Sequence, residues 1–406
     1  MALISVEEAL ARVLEGLEPR DVESVPLVQA RDRVLAKTLA STLTQPPFDA
    51  SAMDGYAVRI SDVAALPATL ALVGESAAGD RFHGIVGAGQ AVRIFTGAPI
   101  PDGADTVVIQ EDTEVSGSSV VVKEAAAGRH IRPRGQDFMA GDVLLTAGTR
   151  LGARALMLAA SMNHAALPVW RKPKVAILST GDEVVPPGSV LGPDEIVASV
   201  SYGVAALVEA HGGEAIHLGI ARDDAEAIAS HVKQSAGADI LVTIGGASVG
   251  ERDLVTAALA REGLQLDFAK VAMRPGKPVF SGKLGSEGES NARRVLGLPG
   301  NPVSALICAF VFLLPMLRAM LGVNPEDVAT QDAALAEALP KNGPRQHFLR
   351  ARSTFSEDGL RHVHPLPSQD SSLVAALAQA DCLIVHAPGA PSLAEGARVK
   401  ILPLFD

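Results

Sequence analysis

The sequence predicts a multi-domain α/β plus β protein, and three observations carry that reading. From Lys174 to about Leu321, short apolar runs alternate with helical patterns, the signature of a parallel-rich sheet with right-handed crossovers. Between Thr42 and Asp142, β-type runs are separated by Gly, Pro and Asp turns, which marks a small all-β domain. From Gln331 onward the texture is β again. The chain has 406 residues. At roughly 150 residues per domain, that length holds about two to four domains and more than one sizeable core.

In chain order, Ser5-Val6-Glu7-Glu8 has the form of a capping box. Ala9, Leu10, Val13 and Leu14 follow at helical spacing, so an amphipathic helix is expected to about Leu17. The β-rich part offers strands near residues 69–73, 91–95, 106–109 and 119–122, followed by a helix over 153–162. In the α/β part, strands are expected at 175–178, 215–219, 240–243 and 295–298. Helices are expected at 204–210, 223–235, 254–261 and 302–321. Glu357-Asp358-Gly359 reads as the turn of a hairpin near the end.

Composition narrows the function classes. Hydrophobic residues make up 48% and charged residues 20%, a globular balance. With 11 Phe, 2 Tyr and 1 Trp, the cores must be aliphatic, and a stacking platform for single-stranded nucleic acid is not expected. The net charge of −11 argues against a general binder of nucleic acid or anionic membranes. Any anion site must therefore be a local basic cluster. Cys308 and Cys382 both sit in apolar runs and read as buried thiols in a reducing compartment, which leaves no Cys-based zinc site. The first residues lack a signal-peptide pattern, and the longest apolar run, 305–314, stops at Pro315, too short to span a bilayer. A soluble, cytoplasmic protein is expected.

In an open parallel sheet, ligands bind outside the carboxyl ends of the strands. Here those ends carry Ser179-Thr180-Gly181-Asp182-Glu183, Arg222-Asp223-Asp224, Gly245-Gly246-x-Ser248-x-Gly250 and Gly297-x-Pro299-Gly300-Asn301-Pro302-x-Ser304. Each has a plain alternative. Asp223 with Glu226 suits a helix N-cap pair. Asn301-Pro302 suits an N-cap followed by Pro at the first helical position, although free N–H groups there also attract anions. The glycine run is either a tight turn or a loop that lets backbone N–H groups approach phosphate. It fits neither the Walker A pattern nor the dinucleotide fingerprint. Lys270, Arg274 and Lys277 put three cations within eight residues of an acidic chain, which points to an oxyanion site, the alternative being a solvated turn. Lys270, Ala272 and Arg274 share one face of an extended segment. In the β-rich part, Asp54-Gly55 alone reads as a hairpin turn, and Arg132 and Arg134 alone read as surface charge.

Six motifs in order then make a specific pattern. They are Ser51-Ala-Met-Asp-Gly-Tyr-Ala-Val58, Thr96-Gly-Ala-Pro99, Ser179-Thr-Gly-Asp-Glu183, Gly245-Gly-Ala-Ser-Val-Gly250, Arg274-Pro-Gly-Lys-Pro278 and Gly297-Leu-Pro-Gly-Asn-Pro-Val-Ser304. Together they resemble the molybdopterin molybdenumtransferase family, which includes MoeA and the E-domain of gephyrin, and the resemblance spans essentially the whole chain.

The resemblance implies insertion of molybdate into adenylylated molybdopterin, with molybdenum cofactor and AMP as products. It implies catalytic carboxylates at Asp54, Asp137, Glu183, Asp223 and Asp253, with Mg²⁺ as cofactor on Asp54, Glu183 and Asp223. It implies substrate binding by Thr96, Arg132, Thr180, Gly245, Gly246, Ser248, Gly250, Lys270, Arg274, Pro299, Asn301 and Pro302. Arg274 stands where the family usually has Lys. Lys277, Ser304, Arg350 and Ser371 would hold molybdate, Arg350 either reaching an anion or lying on a strand surface.

The implied fold is elongated, with a central three-layer α/β domain, a β-rich insertion domain and a C-terminal β-barrel-like domain. The implied boundaries are 18–40 with 139–168 for a linking domain, 41–138 for the β-rich domain, 1–17 with 169–326 for the α/β domain and 327–406 for the last. The implied assembly is a homodimer whose cleft is shared between subunits, with other molybdenum-cofactor biosynthesis proteins as further partners. Adenylylation of molybdopterin, a non-catalytic scaffold role and tungstate in place of molybdate are the competing readings.

Overall fold

The computed structural model describes residues 3–246, 254–285, 292–325, 330–357 and 359–404. The chain forms two compact units. One holds Met1–Ser24, Asp32–Ala36 and Pro168–Asp406, and the other Val25–Arg31 and Lys37–Leu167.

The first unit is built on a six-stranded sheet in the order Glu214–Ala221, Lys174–Thr180, Ile240–Ile244, Arg293–Leu298, Phe280–Leu284, Leu264–Phe268. The first four strands are parallel. The last two were not expected: Phe280–Leu284 runs antiparallel to both its neighbours, Arg293–Leu298 and Leu264–Phe268. Side chains alternate between faces, as strand geometry requires. Val175, Ile177 and Val242 face a core shared with the helices Val6–Leu14, Val200–Ala210 and Pro302–Cys308. Ala176, Leu178 and Leu241 face Ile228, Val232 and Leu259 of the helices Ala225–Gln234 and Leu254–Arg261. Helix, sheet and helix make the expected three layers.

Local signals explain the helix ends. Ser5 caps the first helix by accepting the Glu8 N–H at 3.0 Å, and that helix stops at Leu14 rather than Leu17. The helix expected over 302–321 is present as a 19-residue helix, Pro302–Met320, which runs through the Pro315 that ends the apolar run and is long enough to cross a bilayer, contrary to the run's short length. A π-helical turn, Ala309–Leu313, precedes Pro315, and the Leu314 N–H bonds back to Ala309. The wider turn accommodates a residue that has no N–H to give. Among the described residues this one helix is long and apolar enough to cross a membrane, but 83% of its apolar window is buried inside the protein.

The same unit carries a closed five-stranded barrel. Its strands are Gln331–Leu335, Gln346–Phe355, Arg361–Pro365, Cys382–His386 and Arg398–Pro403, and pairing of the second with the fourth closes the ring. Leu349, Ala351, Ile384 and Ile401 fill its interior. Phe348, Leu383 and Leu402, on the opposite faces, join the core around the Pro302–Met320 helix. Each such burial is worth roughly 1.5–3 kcal/mol, so the barrel is firmly seated. The hairpin strands expected around residue 358 pair antiparallel from Ala351↔Pro365 to Phe355↔Arg361, while Asp358 itself lies outside the described residues. Both cysteines are buried and free, and burial pushes the Cys382 thiol up to about 12.

The second unit contains a six-stranded sheet in the order Thr106–Ile109, Gly55–Val58, Gln90–Ile94, Ala68–Ser76, Ser119–Val122, Thr113–Ser116. Asp54-Gly55 is not a hairpin turn. Gly55 opens a central strand opposite Ile94 and Ile109, and a Cβ there would overlap the Val108 carbonyl. Glycine is required by a close backbone approach.

Gly276, in the first unit, is required by both its backbone and its neighbour. Its φ is +102°, and a Cβ would overlap the buried Cys308 Sγ. Gly276→Ala is expected to cost about 2 kcal/mol or more in urea unfolding, with partial recovery when Cys308→Ala makes room. An unchanged midpoint would contradict the packing.

Candidate active site

Three strand ends of the first unit close on one another. The strand Lys174–Thr180 leads to one neighbour, Glu214–Ala221, before the chain crosses to the other, Ile240–Ile244. That reversal opens a crevice at the carboxyl ends. Gly245 has φ +93° and donates its N–H to Leu298 at 3.1 Å. A Cβ on Gly245 would lie 2.7 Å from the Thr180 carbonyl oxygen, and one on Gly246 would overlap Val255. A Cβ on Gly300 would lie 3.8 Å from the Gly245 Cα. Thr180, Gly245 and Gly246 thus meet the loop that carries Pro299, Asn301 and Pro302. The Thr180 hydroxyl is spent inside, donating to Ile244 at 3.3 Å. Ser248, Gly250 and Asp253 lie outside the described residues.

Carboxylates gather beside this crevice. The helix cap is Asp224, not Asp223: it accepts from the N–H groups of Glu226 and Ala227 at 3.0 and 2.9 Å. Asp223 is therefore released from the cap pair expected of it. Its N–H donates to Asp182 at 3.2 Å. Burial first, then the charges of Asp182 and Glu183, push the Asp223 carboxyl above its ordinary range. Asp182 was not singled out from sequence, although it adjoins Glu183 in the same motif. Among the described residues, no three His, Cys, Asp or Glu side chains form a group that could hold a metal ion.

The cationic residues converge elsewhere in the unit. In the segment that carries them, Val271 and Met273 are buried, Lys270 is half-buried, and Arg274 and Lys277 are exposed. The Val271 N–H bonds Lys277 at 3.0 Å, and the Gln346 N–H bonds Ala272 at 2.9 Å. Arg274 is in register with His347. His347 is buried and pushed down to about 4, by burial first and then by Arg274, His386, Arg345 and Arg350.

Arg350 is not a surface residue. It is 1% exposed, and its guanidinium donates to the carbonyls of Ser368 and Asp370 at 3.0 and 2.9 Å. Gln369, invisible to sequence reasoning, braces the same turn. It accepts the Arg350 N–H at 2.9 Å and donates to the Arg350 and Leu366 carbonyls at 3.0 and 2.9 Å. Asp370 accepts both the N–H and the hydroxyl of Ser372, which hold its carboxyl low. The braced turn docks on the Pro302–Met320 helix, where the Val303 N–H donates to the Ser371 carbonyl at 3.1 Å. Asn301 occupies the N-cap position without capping. Its amide instead donates to the Ser371 hydroxyl at 3.1 Å. Ser304 is buried in the first turn of that helix.

In the second unit, Asp54 accepts from the Thr96 N–H and hydroxyl at 2.7 and 2.8 Å. These bonds hold its carboxyl below the usual range. Arg132 lies opposite Ala50 in a short ribbon in which Ser51 pairs with Ile131 and its carbonyl accepts the Gly97 N–H at 2.8 Å. Asp137 is exposed, and its N–H bonds Gln45 at 3.0 Å.

Family comparisons cover both units. Residues 4–163 match the MoeA N-terminal region (domain I and II), 176–319 a probable molybdopterin binding domain, and 332–404 the MoeA C-terminal region (domain IV). A molybdopterin molybdenumtransferase from Nostoc sp. is 37% identical, over 97% of this chain and 92% of that protein. One from Haemophilus influenzae is 36% identical, over 99% and 98%. A solved molybdopterin biosynthesis MoeA protein from Pyrococcus horikosii is 30% identical, with a TM-score of 0.83 over 99% of both chains. With all three regions matched in order along nearly its full length, the chain belongs to the MoeA family of molybdopterin molybdenumtransferases.

Proposed function

We propose that this protein is a transferase of molybdenum cofactor biosynthesis that inserts molybdenum from molybdate into adenylylated molybdopterin and releases AMP. The observation that carries the reading is a pairing within one unit. A glycine-walled crevice with carboxylates adjoins the N-terminal loop of a helix, and that loop also bonds the turn held by the Arg350 guanidinium. The first suits a phosphoanhydride and the second a tetrahedral dianion.

In this reading, the glycines let the substrate's phosphates approach the backbone. Lys270 and Arg274 balance phosphate charge. Lys277, Ser304, Arg350 and Ser371 receive molybdate, with Arg350 also fixing the turn that carries Ser371. Glu183 and Asp223, crowded by Asp182, suit Mg²⁺ that keeps water and phosphate oxygens as ligands rather than an all-protein cage. A bound cation would neutralise phosphate charge as the anhydride breaks. By the family resemblance Ser248, Gly250 and Asp253, which lie outside the described residues, would also bind the substrate.

We further propose a cytoplasmic homodimer in which Asp54, Thr96, Arg132 and Asp137 act from the partner subunit. Val190 and Ile196, 97% and 56% exposed in the single chain, are apolar side chains that a second copy would cover. The four-domain division is part of the same proposal. Tungstate, similar in size and charge, would compete at the oxyanion pocket.

The direct test incubates purified protein with adenylylated molybdopterin. AMP release that requires molybdate supports the reading. ATP consumption with molybdopterin, and no molybdate-dependent AMP, would overturn it.

The carboxylates give a second test. Asp223 has a raised native pKa, so the native state holds its proton to higher pH than the unfolded chain does. Stability therefore falls as pH rises through the raised value, and the ionised group destabilises the metal-free protein at neutral pH. Asp223→Asn should raise Tm at pH 7 in EDTA by roughly a degree or more, a gain that fades below about pH 4. Mg²⁺ should raise the Tm of the unsubstituted protein but not of Asp223→Asn. Equal responses to Mg²⁺ would refute metal binding at this carboxylate.

A further inference from the structure

We propose that the cavity beside the edge strand Glu214–Ala221 seats a planar amino-heterocycle against Tyr202, namely the adenine or the pterin ring of the substrate. This rests on the insertion reading and assigns it a subsite.

The cavity encloses about 670 Å³ and is lined by Gly181, Asp182, Glu195, Tyr202, His217 and Arg222, among others. Aromatic side chains are scarce in this protein, with 2 Tyr and 1 Trp in 406 residues. Tyr56 is 5% exposed, whereas Tyr202 is 53% exposed where it borders this cavity. A half-exposed tyrosine contributes little to a core and offers a flat apolar face to a ligand. His217 is exposed beside it, with ring centroids 5.6 Å apart and planes tilted by 40°. The two rings are tilted against each other rather than stacked, and about half of the Tyr202 surface stays exposed beside His217.

The backbone is shaped at the same place. Ile177 pairs with His217 and Leu178 with Gly219, so Leu218 is an extra residue in the edge strand. Gly219 has φ +87°. This is a β-bulge, a device that re-aims side chains and recurs beside binding sites. The bulge lies just before Arg222 and Asp223.

Polar groups suit a nucleobase or pterin. Asp182 and Glu195 are acceptors for ring amine donors. One Glu195 oxygen already takes the Gly192 N–H at 2.8 Å, which fixes the carboxylate in place. Arg222 is exposed at the rim and can meet phosphate. Asp182 also accepts the Asp223 N–H at 3.2 Å, so the cavity adjoins the carboxylate group. A heterocycle seated here would direct its phosphates toward the strand ends.

The test measures binding of AMP and of molybdopterin separately, by calorimetry, to the unsubstituted protein, Tyr202→Ala and Tyr202→Phe. Base–aromatic stacking predicts that Tyr202→Ala weakens one of the two ligands by about 5- to 150-fold, while Tyr202→Phe stays within about twofold. The ligand that responds identifies the ring in the cavity. The proposal is overturned if neither affinity changes, if Tyr202→Phe loses as much as Tyr202→Ala, or if Tyr202→Ala loses affinity only because the protein dissociates into monomers in sedimentation. Molybdate-dependent AMP release by the unsubstituted protein is read alongside. If it occurs and both affinities are unchanged, this subsite fails and the insertion reading stands. If it is absent, the insertion reading fails and the binding arms still decide the subsite.

Discussion

The C-terminal part of the first unit depends on one buried cation. Arg350 is 1% exposed, in surroundings where an uncompensated charge would be very costly. The carbonyls of Ser368 and Asp370 supply acceptors, and Gln369 closes the backbone of Arg350 itself. None of these partners works unless the turn keeps one conformation. That conformation presents the Ser371 carbonyl to the Val303 N–H and its hydroxyl to Asn301. The barrel and the helix are therefore linked through one turn, the turn at which molybdate binding is proposed. His347 is pushed down to about 4 chiefly by its own burial, with Arg274, His386 and Arg345 ahead of Arg350 among the charges that add to it.

A second constraint acts at the strand ends, and it is steric. Gly245 and Gly246 allow neighbouring loops to approach within distances that a Cβ would forbid. The crevice they leave is lined by backbone, while the carboxylates sit to one side where burial and mutual repulsion raise Asp223. A site with acids on one flank and cations on another can hold a polyanion and a divalent cation together.

Much of the fold was legible because it is written in local patterns. Ser5 and Glu8 marked a helix start, and the apolar runs around Val175, Ile240 and Val295 marked parallel strands. The strands Leu264–Phe268, at the edge, and Phe280–Leu284, beside it, were missed because polar residues and Gly282 dilute their pattern, and a Cβ at Gly282 would overlap the Gln265 carbonyl across the pair. The motif residues around Thr180, Gly245 and Asn301 were found, since chain order alone places them at strand ends. Arg350 was open to reading as a surface residue because carbonyl acceptors from a distant turn leave no trace in a strand pattern. Gln369 was missed for the same reason. The choice of Asp224 over Asp223 as cap depends on where the helix begins, a shift of one residue that sequence does not resolve.

The central claim is that the braced turn creates the oxyanion pocket, and Gln369→Ala tests it most directly. Gln369 makes three hydrogen bonds within the turn and is not itself placed on the anion. Molybdate affinity, read by titration at fixed adenylylated molybdopterin, is predicted to weaken about tenfold while AMP affinity is unchanged. Amide exchange at Ser371 and Ser372 should speed up in the same variant, as a loosened turn requires. Unchanged molybdate affinity in a variant whose turn demonstrably exchanges faster would contradict the account.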